Sequence, residues 1–151
     1  MGIFPKKQSQ PSMEDWTIER ERAWPFYVLC DESETMGVNG GIEAMNSFLP
    51  ELHAILARNV IVNYMCRFGI IAFSDIAQEL LPLSKLSELS SIPGLVSKGA
   101  ANYGEAFAFM REVISRDIRS MKSEGLIVFR PAVFSFLAVS RQVIGREATN
   151  H

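Results

Sequence analysis

An open α/β fold, a mostly parallel sheet with helices on both faces, is what this sequence predicts. Two observations carry that expectation. Phe26 to Cys30 is an apolar run without alternation, which fits a strand covered on both faces and so a central, parallel one. Apolar residues recurring at three- and four-residue steps mark two long helices between such runs, so the order reads strand, helix, strand, hairpin strand, helix, strand.

Taken along the chain, residues 1–12 are polar and proline-containing and read as a disordered tail. Ser12-Met13-Glu14-Asp15 resembles a helix start, and Trp16 to Trp24 would follow as a short helix whose tryptophans pack on the domain's own core or on a partner. Residues 1–23 are thus a tail and 24–151 the domain. After the first strand comes a glycine-bearing loop from Glu32 to Gly41, which lacks the lysine and residue order of a P-loop. The first long helix spans Gly41 to Arg58, with Ile42, Met45, Phe48, Leu49, Leu52, Ile55 and Leu56 on one face and Pro50 expected to bend it.

Strand character is expected from Asn59 to Phe73, beginning with Val60-Ile61-Val62. A turn at Ser74-Asp75 leads into a returning strand, Ile76 to Leu83, stopped by Pro82. Ser84 to Lys98 reads as loop with one helical turn. The second long helix covers about Tyr103 to Glu124, its apolar face made by Ala106, Phe107, Met110, Val113, Ile114, Ile118 and Met121, with Gly125 as its stop signal. Its basic residues, Arg111, Arg116, Arg119 and Lys122, read as a solvated face. Val133 to Leu137 is the fourth strand.

Composition excludes several functions. A net charge of −2 carries no nucleic-acid footprint. No apolar run approaches the roughly 20 residues that span a bilayer, so no membrane role is expected, and with no signal-like core at the amino terminus the expected location is the cytoplasm. Cys30 and Cys66 lie in separate apolar runs and read as buried, reduced thiols. His53 and His151 are isolated and read as neither catalytic nor ligating.

The chemistry-bearing stretch is Asp31-Glu32-Ser33-Glu34-Thr35, at the carboxyl end of the first strand, where open α/β folds place their ligands. One carboxylate and two hydroxyls at steps of two supply part of the oxygen shell that Mg2+ requires. So little negative charge would leave the metal open to a carboxylate from a partner protein. No nucleophile with a base beside it is evident, so a non-catalytic role is expected.

Asp31-x-Ser33-x-Thr35 resembles the metal-ion-dependent adhesion site of von Willebrand factor type A domains. The resemblance runs on through Phe73-Ser74-Asp75, Pro82-Leu83, Gly99 to Gly104 and Arg130 to Phe134, and covers about residues 24–137. It is strongest to the bacterial group associated with tellurium-resistance gene clusters. That resemblance implies a Rossmann-like sheet and a cytoplasmic, Mg2+-binding protein-interaction module in bacterial stress response, with Asp31, Ser33 and Thr35 as metal ligands. The sequence departs from the family pattern at three positions. Glu34 replaces the usual glycine. Ala101 stands where the family has a threonine, with Asn102 as the neighbouring candidate oxygen. Ala138 stands at the family's second aspartate.

The family domain continues with further strands, whereas here the resemblance ends after the fourth. The domain is therefore expected to be C-terminally incomplete, the product of a truncated or frame-disrupted gene. Residues 133–137 would then be an exposed edge able to pair with a second copy. Two alternatives differ in kind. A phosphoryl-transfer enzyme of the haloacid-dehalogenase type also places an aspartate after its first strand, but needs a second acid where Ser33 stands. The other is a metal-free structural or regulatory partner.

Overall fold

The computed structural model describes residues 20–138. Five strands form one open, mixed and mostly parallel sheet. β1 (Arg22–Asp31) lies inside it, with β2 (Cys66–Phe73) parallel along one side from Trp24↔Cys66 to Asp31↔Phe73. Beyond β2, β3 (Ala77–Lys85) returns antiparallel as the outer strand. The other side of β1 is shared by two short parallel strands. β4 (Ile127–Val128) pairs with Arg22 and Ala23, and β5 (Ala132–Phe136) pairs with Phe26 to Cys30.

The apolar run of β1 is buried on both faces for the reason its lack of alternation implies. Val28 and Cys30 point to one side, where α2 (Gly41–Arg58) supplies Ile42, Met45 and Leu49. Tyr27 and Leu29 point to the other, where α4 (Tyr103–Ser123) supplies Ala106 and Val113. A third cluster joins Ala23, Met121 and Leu126 at the amino-terminal end of β1. The two helical faces are narrower than expected: Ile55 of α2 and Phe107 of α4 point outward, and Phe109 of α4 packs instead. α2 runs unbroken through Pro50, which sits on its exposed side. At Gly125, φ is +84°, as the stop signal after α4 requires.

Four expectations need correction. Arg22 to Trp24, read as the end of a helix, are the first residues of β1. Val60-Ile61-Val62, read as strand, begin a helix, α3 (Val60–Met65). The Asn59 side chain decides this by accepting the Ile61 and Val62 N–H groups at 3.1 Å each, an N-cap that overrides β-branched propensity. β3 does not stop at Pro82. Its pairing with β2 shifts between Phe68 and Ile70, opposite Pro82 and Leu83, and a proline is tolerated at such an irregularity on an outer strand. Finally, the loop after Asp31 contains a short helix, α1 (Glu34–Val38), and the two-residue β4 precedes the last strand. The single helical turn expected in 84–98 is a 3-10 turn, Leu86–Glu88.

Cys30 and Cys66 are free and buried, as expected. Burial, with Glu32 adding to it, pushes the Cys30 thiol up to about 12, and burial alone pushes Cys66 up to about 11, both from 9.0. Folded pKa values above unfolded ones mean that the associated stability is fully present below pH 9.0 and is lost as pH rises through 11 to 12. Tyr27, raised by burial and by its 2.8 Å bond to Asp117, acts in the same direction. The urea midpoint should therefore fall steadily above about pH 9. Both thiols should resist an aromatic disulfide reagent at pH 8 until the chain unfolds; fast labelling of the native protein would contradict this.

Candidate functional site

β1 ends at the carboxyl rim of the sheet, and three loops meet there through backbone bonds. Glu32 N–H donates to Phe73 O (2.8 Å), Lys98 N–H to Glu32 O (2.7 Å) and Glu34 N–H to Gly99 O (2.9 Å). Asn102 N–H donates to Ser74 O (2.9 Å). Asp75 Oδ1 accepts the Ala100 N–H at 3.2 Å. Gly99 is required at its position: φ is +63°, and a Cβ there would overlap the Asp75 carboxylate. Asn46 on α2 fixes the far side of the same loop, exchanging two bonds with the Leu95 backbone at 2.7 and 3.0 Å.

Asp31 sits at the centre of this rim with no exposed surface. Its Oδ1 accepts the Ser33 N–H at 2.8 Å, and its Oδ2 accepts the Ala138 N–H at 3.1 Å. The Tyr103 hydroxyl lies 3.4 Å from Oδ2 and 3.0 Å from Ala138 O, so its one hydrogen is shared with the carbonyl the nearer acceptor. Burial, followed by the charge and hydrogen bond of Asp31, raises the Tyr103 phenol above its usual value and keeps it a donor. Ser33 is also buried, and its Oγ has no partner. Glu32 is buried beside it, with Oε2 accepting the Val96 N–H at 3.1 Å and Oε1 unpartnered.

The candidate ligands therefore separate. Asp31 and Ser33 are brought together, joined by a backbone N–H. Thr35 lies exposed on α1, with no side-chain hydrogen bond to either. Asn102 caps α4: its Oδ1 accepts the Glu105 N–H at 3.1 Å. The Asn102-x-x-Glu105 spacing carried that signal. Ala101 and Ala138 bring no side-chain oxygen, and the Ala138 backbone occupies Asp31 instead. Tyr103 and Glu32 were not anticipated.

These groups fit a divalent cation poorly. Mg2+ needs about six oxygens at about 2.0–2.1 Å. The Asp31 oxygens face N–H and O–H donors, whose positive ends a cation would have to displace. Among the described residues, no three acidic, histidine or cysteine side chains converge as a metal group. Among the described residues, the buried side-chain oxygens left without a partner here are Ser33 Oγ and Glu32 Oε1, a hydroxyl and one carboxylate oxygen, well short of the shell Mg2+ requires.

No protein-family model matches the chain, and a search of curated proteins returns no match. Among the described residues no helix is long and apolar enough to cross a membrane.

Proposed function

We propose that this chain is a non-catalytic protein-interaction module of the von Willebrand A type, binding its partner without metal. The observation that carries the reading is Asp31, at the carboxyl end of a strand inside a mostly parallel sheet, held by Ser33 and Ala138 N–H groups. The rim keeps the form of an adhesion site while its carboxylate is given over to backbone donors. In the family, the partner's acidic residue binds through the metal, so with Asp31 engaged that route is weakened and contact falls to the loops themselves. A setting in bacterial tellurium or stress resistance belongs to this proposal on the sequence resemblance alone.

Calorimetric titration with Mg2+ and with Mn2+ tests it. No heat is expected at millimolar metal. Heat that disappears in Asp31→Ala would overturn the metal-independent reading and restore the adhesion site.

The outer side of β5 supports self-pairing as one mode of interaction. Val133 and Phe134 are exposed there, and Ala132–Phe136 has no charged residue to discourage an added strand. Sedimentation should show a dimer that Val133→Lys returns to monomer; a monomer at high concentration in the parent would remove this mode.

A further inference from the structure

At the opposite end of β1 from Asp31, roughly 30 Å away at about 3.3 Å per residue, lies an apolar groove. Two cavities of about 420 and 500 Å³ share Ile61 and Met65 and so form one trough. Its walls are Val60, Tyr64, Trp24 and Phe129. α3 turns its apolar side chains outward here, with Val60 82%, Ile61 69% and Tyr64 64% exposed. Apolar residues this exposed on a capped helix mark a surface built to be covered.

The rim of the trough is basic. Arg20, Arg22 and Arg130 line it against one acid, Glu21, which is paired with Arg67 and Lys85. Arg20 is committed to the Gly125 and Leu126 carbonyls at 3.0 and 3.4 Å, while Arg22 and Arg130 have no hydrogen bond or ion pair among the described residues. Two copies of this face set against each other would oppose like charges, which disfavours a symmetric dimer here.

The chain itself supplies a complementary occupant. Arg20 and Glu21 are pinned at the trough, Glu21 by Lys85 at 3.3 Å and Arg67 at 3.7 Å. The segment Met13-Glu14-Asp15-Trp16-Thr17-Ile18-Glu19 immediately precedes them. It carries three acids and no base, with Met13, Trp16 and Ile18 as its apolar side chains. Trp16 stands four positions before Arg20, a reach of up to about 14 Å. We propose that residues 13–19 dock in this trough of their own chain, with the Trp16 indole as anchor against Ile61, Tyr64 and Met65 and the acids facing Arg22 and Arg130. This inference stands apart from the rim at Asp31.

The full chain labelled with 5-fluorotryptophan gives two fluorine resonances, assigned by Trp16→Phe. The Trp16 resonance should show no solvent isotope shift in the parent. It should regain the shift of the free 13–19 peptide in Ile61→Asp. The same recovery is expected in Glu14→Lys/Glu19→Lys, a pair that leaves residues 20–138 unchanged, and this keeps the test valid if Ile61→Asp unfolds. A solvent-exposed Trp16 in the parent would overturn the proposal. So would protection that survives the Glu14→Lys/Glu19→Lys change. Protection lost on dilution would also overturn it, assigning the occupant to a second copy.

Discussion

Asp31→Ala should lower stability by about 3 kcal/mol, because it leaves the buried Ser33 N–H and the part-buried Ala138 N–H without an acceptor. Each orphaned buried donor carries a penalty of about 1–3 kcal/mol. Asp31→Asn should be milder, since its amide oxygen keeps one of the two bonds. Tyr103→Phe should lose less than about 1 kcal/mol, its hydroxyl being partly exposed and shared. Urea unfolding measures all three, with the midpoint moving and the slope unchanged. The sign separates two roles for the same residue. A carboxylate held in reserve for a cation is poorly satisfied without it, and its removal stabilises the metal-free protein. A carboxylate that latches loops destabilises when removed. A higher midpoint in Asp31→Ala would therefore sink the latch reading even before any metal is added.

The parts of this fold legible in the sequence were those with long, repeated signals. α2 occupies the expected span, Gly41–Arg58, because eighteen residues of helical periodicity outweigh one proline. β1 was legible as a central strand because only a strand covered on both faces carries Phe26 to Cys30 without alternation. Short elements were not. α3 depends on one asparagine cap working against three β-branched residues, and β4 exists only through its pairing with Arg22 and Ala23.

The candidate site divides along the same line. Asp31 was legible from its place at the end of an apolar run. Its partners were not, because the Tyr103 and Ala138 contacts close over 72 and 107 residues of chain. No local spacing encodes a bond of that range. The departures at Ala101 and Ala138 were visible as missing oxygens, but what replaces them at Ala138 is backbone, which every residue type carries.

Phe68→Ala should have the largest effect on the fold, lowering stability by about 3–5 kcal/mol. Phe68 is fully buried in the middle of β2 and lies directly opposite Phe26 of β1, with the rings stacked at 5.8 Å and 12°. Phe26 in turn meets Trp24 edge-on at 5.5 Å. The three rings form a column from the core under α2 to the wall of the trough. Removing Phe68 leaves a void that the sheet cannot close, because β2 is held in register by strands on both sides. Against a total stability of roughly 5–15 kcal/mol, this change brings the chain close to its unfolding limit. In a thermal melt the midpoint should drop by more than about 10 °C. Phe134→Ala, at the half-exposed outer strand, should shift it by a small fraction of that. Because Phe26 and Phe68 share one contact, Phe26→Ala combined with Phe68→Ala should be non-additive by about 0.5–1.5 kcal/mol. Strict additivity would show that the column does not act as a unit. If it does act as one, Phe68→Ala should also loosen Trp24 at the trough, so the Trp24 5-fluorotryptophan resonance should shift, whereas in the Phe134→Ala variant, changed outside the trough lining, it stays in place.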